Sequence, residues 1–90
     1  MRRVALITGG ARGIGLGISC SLAREGFALA VCGTRPSEEV RPVLDRLEAL
    51  GSEVLYVQAD VSVTADRERL LEAVRARYGA LHVLVNNAGV

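Results

Sequence analysis

The 90-residue chain is half apolar but only 3% aromatic, and eleven basic against ten acidic residues leave a net charge of +1. A core of Val, Leu, Ile and Ala suits a parallel sheet, while so small a charge excludes bulk attraction to nucleic acid or an anionic membrane. All eleven basic residues are arginine, which excludes lysine-based proton relays and Schiff bases from these residues.

The first apolar run, residues 4–8, leads straight into a glycine cluster. It is too short for a signal peptide or a membrane span. Ile14, Ile18 and Leu22 then recur every fourth residue before Gly26, predicting a helix that opens inside the cluster and buries that stripe. A second strand is expected over 27–33. Val40, Val43, Leu44 and Leu47 mark a second helix closed by Gly51, its start left open by Pro42. A third strand over 54–59 precedes a helix with the stripe Leu70, Leu71, Val74 and Tyr78, stopped by Gly79. The fourth strand spans 81–86.

Strands alternating with helices predict an α/β fold, a Rossmann-type doubly wound parallel sheet of which this is the N-terminal β-α-β-α-β-α-β portion. Right-handed crossovers place strands two and three on one side of strand one and strand four on the other, opening a crevice between one and four. Ninety residues fall short of the roughly 100–200 of a self-sufficient domain. One domain over 1–90, continuing beyond residue 90, is therefore expected. Cys20 and Cys32 lack the spacing of a metal or redox pair, which fits a reducing, cytoplasmic setting.

Thr8-Gly9-Gly10-Ala11-Arg12-Gly13-Ile14-Gly15 joins a buried strand to a helix. Glycines let a diphosphate approach the backbone, and the helix N-terminus supplies unpaired amides and partial positive charge. A turn needed only for tight strand-to-helix packing is the competing reading. No Lys-Ser or Lys-Thr pair follows, which excludes a Walker loop. An NAD-preferring Rossmann site carries Asp or Glu at the end of the second strand, where this chain has Gly33-Thr34-Arg35. Thr34 and Arg35, with Arg12 from the loop, offer a hydroxyl and two guanidinium groups to a 2′-phosphate. This points to NADP(H), with NAD(H) as the alternative; Arg35 could equally be a loop charge pairing with Glu38 or Glu39.

The loop resembles the Thr-Gly-x-x-x-Gly-x-Gly motif of short-chain dehydrogenases/reductases, and Asn86-Asn87-Ala88-Gly89 resembles that family's Asn-Asn-Ala-Gly motif. Asp60-Val61 matches a third family feature, and the surroundings of both motifs most resemble 3-oxoacyl-[acyl-carrier-protein] reductases. The resemblance implies that Gly9, Gly10, Ala11, Arg12 and Ile14 line the diphosphate and adenosine ribose, with Thr8 structural. Asp60 and Val61 would meet the adenine edge, although Asp60 also reads as a helix-capping acid near Ser62. Asn87, Ala88 and Gly89 would border the nicotinamide side.

The implied activity is hydride transfer between nicotinamide and a carbonyl or alcohol, on a small-molecule or acyl-carrier-bound substrate, with a Tyr-x-x-x-Lys pair handling the proton. No such pair occurs here, so the catalytic set within these residues is empty and the segment supplies cofactor binding only. Family resemblance further implies a homo-oligomer, tetramer or dimer. Alternatives are an NAD-linked alcohol or sugar dehydrogenase, or a non-catalytic dinucleotide sensor. No metal site is expected. His82, at the strand end opposite the crevice, reads as a strand-edge residue, and Tyr78 as a packing residue.

Overall fold

The computed structural model describes residues 2–88. Within them the chain forms β1 (Val4–Thr8), α1 (Gly13–Arg24), β2 (Ala28–Gly33), α2 (Ser37–Ala49), β3 (Val54–Gln58), α3 (Thr64–Tyr78) and β4 (Val83–Asn86). The strands are all parallel in the order β3-β2-β1-β4. Parallel neighbours require a crossover, which the helices provide. The order reverses beside β1, so the crevice between β1 and β4 lies at the carboxyl ends of the strands.

Side-chain alternation divides the core into two layers. Ala5, Ile7, Leu29 and Val31 pack with Cys20 and Ala23 of α1 and with Val40, Leu44 and Leu47 of α2. On the other face Val4, Leu6, Ala28, Ala30 and Cys32 pack with Leu70 and Val74 of α3. β1 and β2 are thus covered on both sides, which is why their sequences run apolar without alternation. β4 alternates between half-buried and exposed residues.

Two helical faces differ from the sequence expectation. α1 is turned so that Gly15, Ser19, Cys20 and Ala23 are buried, while Ile14 stands 80% exposed and Ile18 and Leu22 are half-buried. Small side chains bring the helix axis close to the sheet, and the Ser19 hydroxyl on that face is satisfied by donating to Gly10 O at 3.0 Å. In α3 only Leu70 and Val74 are buried. Leu71 is 51% exposed, because one residue along a helix turns the side chain by about 100° and this sheet covers a narrow stripe.

Pro42 lies inside α2 rather than at its start. Its absent N–H would have paired with the Glu38 carbonyl, and both residues are exposed, so that carbonyl is open to solvent rather than buried without a partner. β2 starts one residue late because the Phe27 N–H closes α1 on Leu22 O at 3.1 Å. β4 starts at Val83; the exposed His82 precedes it, donating its backbone N–H to Val4 O at 2.9 Å and accepting the Val4 N–H on Nδ1 at 2.9 Å. Tyr78 packs beside α3's core cluster and donates its hydroxyl to Leu29 O at 2.8 Å. Among the described residues no helix is long and apolar enough to cross a membrane.

These faces predict opposite outcomes for two leucines. Leu47→Ala, at a fully buried position, should lower the unfolding free energy by about 2–5 kcal/mol. Leu71→Ala should change it by about 0.5 kcal/mol or less. Urea denaturation of the two variants measures both.

Candidate functional site

The glycine loop is built by a close backbone approach. Gly9 adopts φ 67° and donates its N–H to Cys32 O at 2.9 Å, tying the loop to the end of β2. A Cβ on Gly15 would overlap Gly9 O and lie 2.7 Å from Asn87 Nδ2, so no side chain fits there. Gly10 faces inward, where a Cβ would meet Ser19 Oγ at 2.8 Å. α1 begins with Arg12 as N-cap, without a side-chain capping bond or an acid in its first turn. Its first-turn amides are therefore left to the crevice.

Thr8 joins this loop to the end of β4. The buried Thr8 hydroxyl accepts the N–H groups of Asn87 at 2.9 Å and Ala88 at 3.0 Å, and the Asn87 amide donates to Gly9 O at 3.3 Å. At the end of β2, Arg35 donates from Nη2 to Ala11 O at 3.3 Å. The ion pairs among the described residues do not include Arg35, so the expected alternative of pairing with Glu38 or Glu39 is not adopted. Burial pushes the Cys32 thiol upward, opposed by the Gly9 amide, which keeps it protonated and unreactive.

The third wall is the turn after β3. Asp60 Oδ1 accepts from the Ser62 N–H at 2.9 Å and the Ser62 hydroxyl at 2.6 Å; this closes a turn ahead of α3 rather than capping the helix, whose N-cap is Val63 without a side-chain capping bond. The Ser62 hydroxyl, and then its amide, hold the Asp60 carboxyl below the usual carboxylate range. α3 braces the same turn: Asp66 accepts the Asp60 N–H at 2.8 Å, and Arg67 donates to Val61 O at 2.7 Å.

These walls enclose a crevice of about 530 Å³, within the usual size of a small-ligand site. Of the residues singled out from sequence, Gly9, Ala11, Arg12, Thr34, Arg35, Asp60, Val61, Asn87 and Ala88 line it. Gly10 sits beneath it, and the Ile14 side chain stands outside it, leaving that residue its first-turn amide. Gly89 lies outside the described residues. Gly13, Cys32, Gly33, Ala59 and Ser62 also line the crevice; all but Cys32 adjoin a residue already singled out, which was the available signal.

A doubly wound parallel sheet, with a glycine loop and an uncapped helix N-terminus at the point where strand order reverses, defines a Rossmann-type protein. The chain belongs to the short-chain dehydrogenase/reductase family, whose short chain dehydrogenase profile matches residues 3–90. It is 33% identical to the short-chain dehydrogenase/reductase homologue YusS of Bacillus subtilis, over 100% of this chain and 83% of that protein.

Among solved structures it resembles a 3-oxoacyl-[acyl-carrier protein] reductase from Brucella melitensis in complex with NAD, at 41% identity and a TM-score of 0.91, covering 100% of this chain and 34% of that one. The actinorhodin polyketide ketoreductase with NADPH is 43% identical with a TM-score of 0.89, over 99% of this chain and 34% of the other. The chain also spans about a third of the curated hydroxynaphthalene and 3-oxoacyl reductases that it matches.

Two outcomes follow from the site's geometry. Thr8→Val keeps the shape but leaves two amides without their acceptor, and should lower stability by about 2–4 kcal/mol in thermal or urea unfolding. Ser62→Ala should move the Asp60 titration upward in carboxyl-resolved NMR. Because the folded-state value is depressed, the Asp60 contribution is present above its unfolded value and is lost as pH falls from about 4 downward through the folded value; Ser62→Ala reduces that contribution and completes its loss at a higher pH.

Proposed function

We propose that the chain is the NADP(H)-binding portion of an oxidoreductase whose domain continues beyond Val90, and that the whole protein reduces a carbonyl or oxidises the corresponding alcohol. The carrying observation is the end of β2, where Gly33 replaces the carboxylate of NAD-preferring sites and Arg35 is held against the glycine loop. A carboxylate there would repel a 2′-phosphate, whereas a guanidinium binds one through charge-assisted bonds.

The residues present fit a dinucleotide. The cradle has no room for a side chain at Gly15 and disfavours one at Gly9, where φ is 67°, and α1 presents uncapped amides. In this reading Gly9, Ala11, Arg12 and the first-turn amides of α1 hold the diphosphate. Thr34, Arg35 and Arg12 take the 2′-phosphate; Asp60 and the Val61 amide meet adenine; Asn87, Ala88 and Gly89 border the nicotinamide ribose. When bound, the nicotinamide supplies a hydride to, or accepts one from, the substrate carbon. Without lysine the chain holds no Tyr-x-x-x-Lys pair, so its own residues bind and orient, and the proton is handled by residues outside this sequence. Similarity to 3-oxoacyl-[acyl-carrier-protein] reductases supports an acyl-carrier-bound 3-oxoacyl substrate.

Titration of the intact protein with both reduced cofactors tests the reading. NADPH should bind at least about tenfold more tightly than NADH, with the gap narrowed by Arg35→Ala. NADH binding as tight as NADPH, unchanged by Arg35→Ala, would establish the NAD-linked alternative that the NAD-complexed relative represents.

A further inference from the structure

The loop after β2 is held from three directions. Arg35 precedes Pro36, which restricts its backbone to extended conformations. Its guanidinium is tied to Ala11 O at 3.3 Å. Its carbonyl receives the hydroxyl of Tyr56, from the neighbouring strand β3, at 2.7 Å, and two residues further along β3 the Gln58 amide donates to Thr34 O at 3.1 Å. Alternation puts Tyr56 and Gln58 on one face of the strand, so β3 clamps two consecutive carbonyls of the segment that carries the Thr34 and Arg35 side chains.

The Tyr56 ring packs against the core cluster shared by α1 and α2, leaving the hydroxyl as the polar end of an anchored side chain. Burial pushes the phenol above its ordinary range, with the Arg35 charge opposing, so it remains a donor at neutral pH. A Cβ on Gly33 would lie 3.2 Å from the Tyr56 hydroxyl oxygen. The absence of a side chain at residue 33 therefore serves two ends: it removes the carboxylate, and it leaves room for the phenol that holds Arg35.

The geometry points to Tyr56 as a positioning residue for the Arg35 guanidinium, and through Arg35 as a determinant of preference for a 2′-phosphorylated adenosine. This rests on the proposed NADP(H) reading. A guanidinium fixed before the ligand arrives loses less side-chain freedom on binding, and that gain appears only for ligands that touch it.

Calorimetric titration of the intact protein with 2′,5′-ADP and with 5′-AMP tests the inference. Tyr56→Phe keeps the ring and removes only the hydroxyl; it should weaken 2′,5′-ADP about fivefold and leave 5′-AMP within about twofold. Arg35→Ala should weaken 2′,5′-ADP more, and adding Tyr56→Phe to it should change nothing further, since the phenol acts through the arginine. Weakening of both ligands alike by Tyr56→Phe, or an effect that adds fully to Arg35→Ala, would show a general structural role and overturn the proposal. A silent Tyr56→Phe beside an effective Arg35→Ala overturns the Tyr56 assignment alone. Arg35→Ala without effect on the 2′,5′-ADP to 5′-AMP ratio overturns the NADP(H) reading and this inference with it.

Discussion

The contact of the Gly15 backbone with the Gly9 carbonyl is the constraint on which the rest of the site depends. It presses the N-terminus of α1 into the turn that leaves β1, with no space for even a methyl group. Asn87 fits against both glycines and returns a hydrogen bond to Gly9 O. The same closeness requires the small face of α1 to lie on the sheet, so Ser19 and Ala23 are buried where larger side chains would hold the helix away.

From that contact the polar architecture spreads outward as bonds from side chains to backbone. Thr8 fastens the end of β4, Ser19 the underside of the glycine loop, Tyr56 and Gln58 the carbonyls after β2, and Asp66 and Arg67 the turn after β3. Each fixes a loop at the carboxyl end of a strand, where an open sheet has no ladder to hold it. Such bonds orient backbone groups without occupying the crevice, which stays lined mainly by small residues, with Val61, Asn87 and the charged ends of Arg12, Arg35 and Asp60. A chain of nearly zero net charge thereby sets two arginines and an uncapped helix start at one side and an acid at the other. The proposed anion recognition therefore rests on local placement rather than on a bulk field.

How far the site was readable from sequence depended on what kind of signal each residue carries. Gly9, Thr34, Arg35, Asp60 and Asn87 announce themselves through residue type at strand ends, and the structure brings them to one crevice. Gly10 belongs to the same motif yet faces the core, because inward and outward glycines look alike in a string of letters. Tyr56 and Gln58 read as ordinary strand residues; their partners are 21 and 24 positions away. No periodicity marks a bond between a side chain and a distant carbonyl.

Strand and helix order, the parallel sheet and its reversal beside β1 were determined by sequence alone, because apolar runs of strand length alternating with helical stripes leave one right-handed way to wind. Chain composition likewise excluded a bulk electrostatic field and left arginine, beside the single His82, as the basic side chain of the sequence. Only the tertiary structure decided which face of α1 is buried, that Leu71 remains exposed, and that α2 absorbs Pro42. These outcomes depend on how closely two surfaces approach and on where water can replace a lost bond. The clamp on Arg35 was decided there too, since it exists only once β3 lies beside β2 in its observed register.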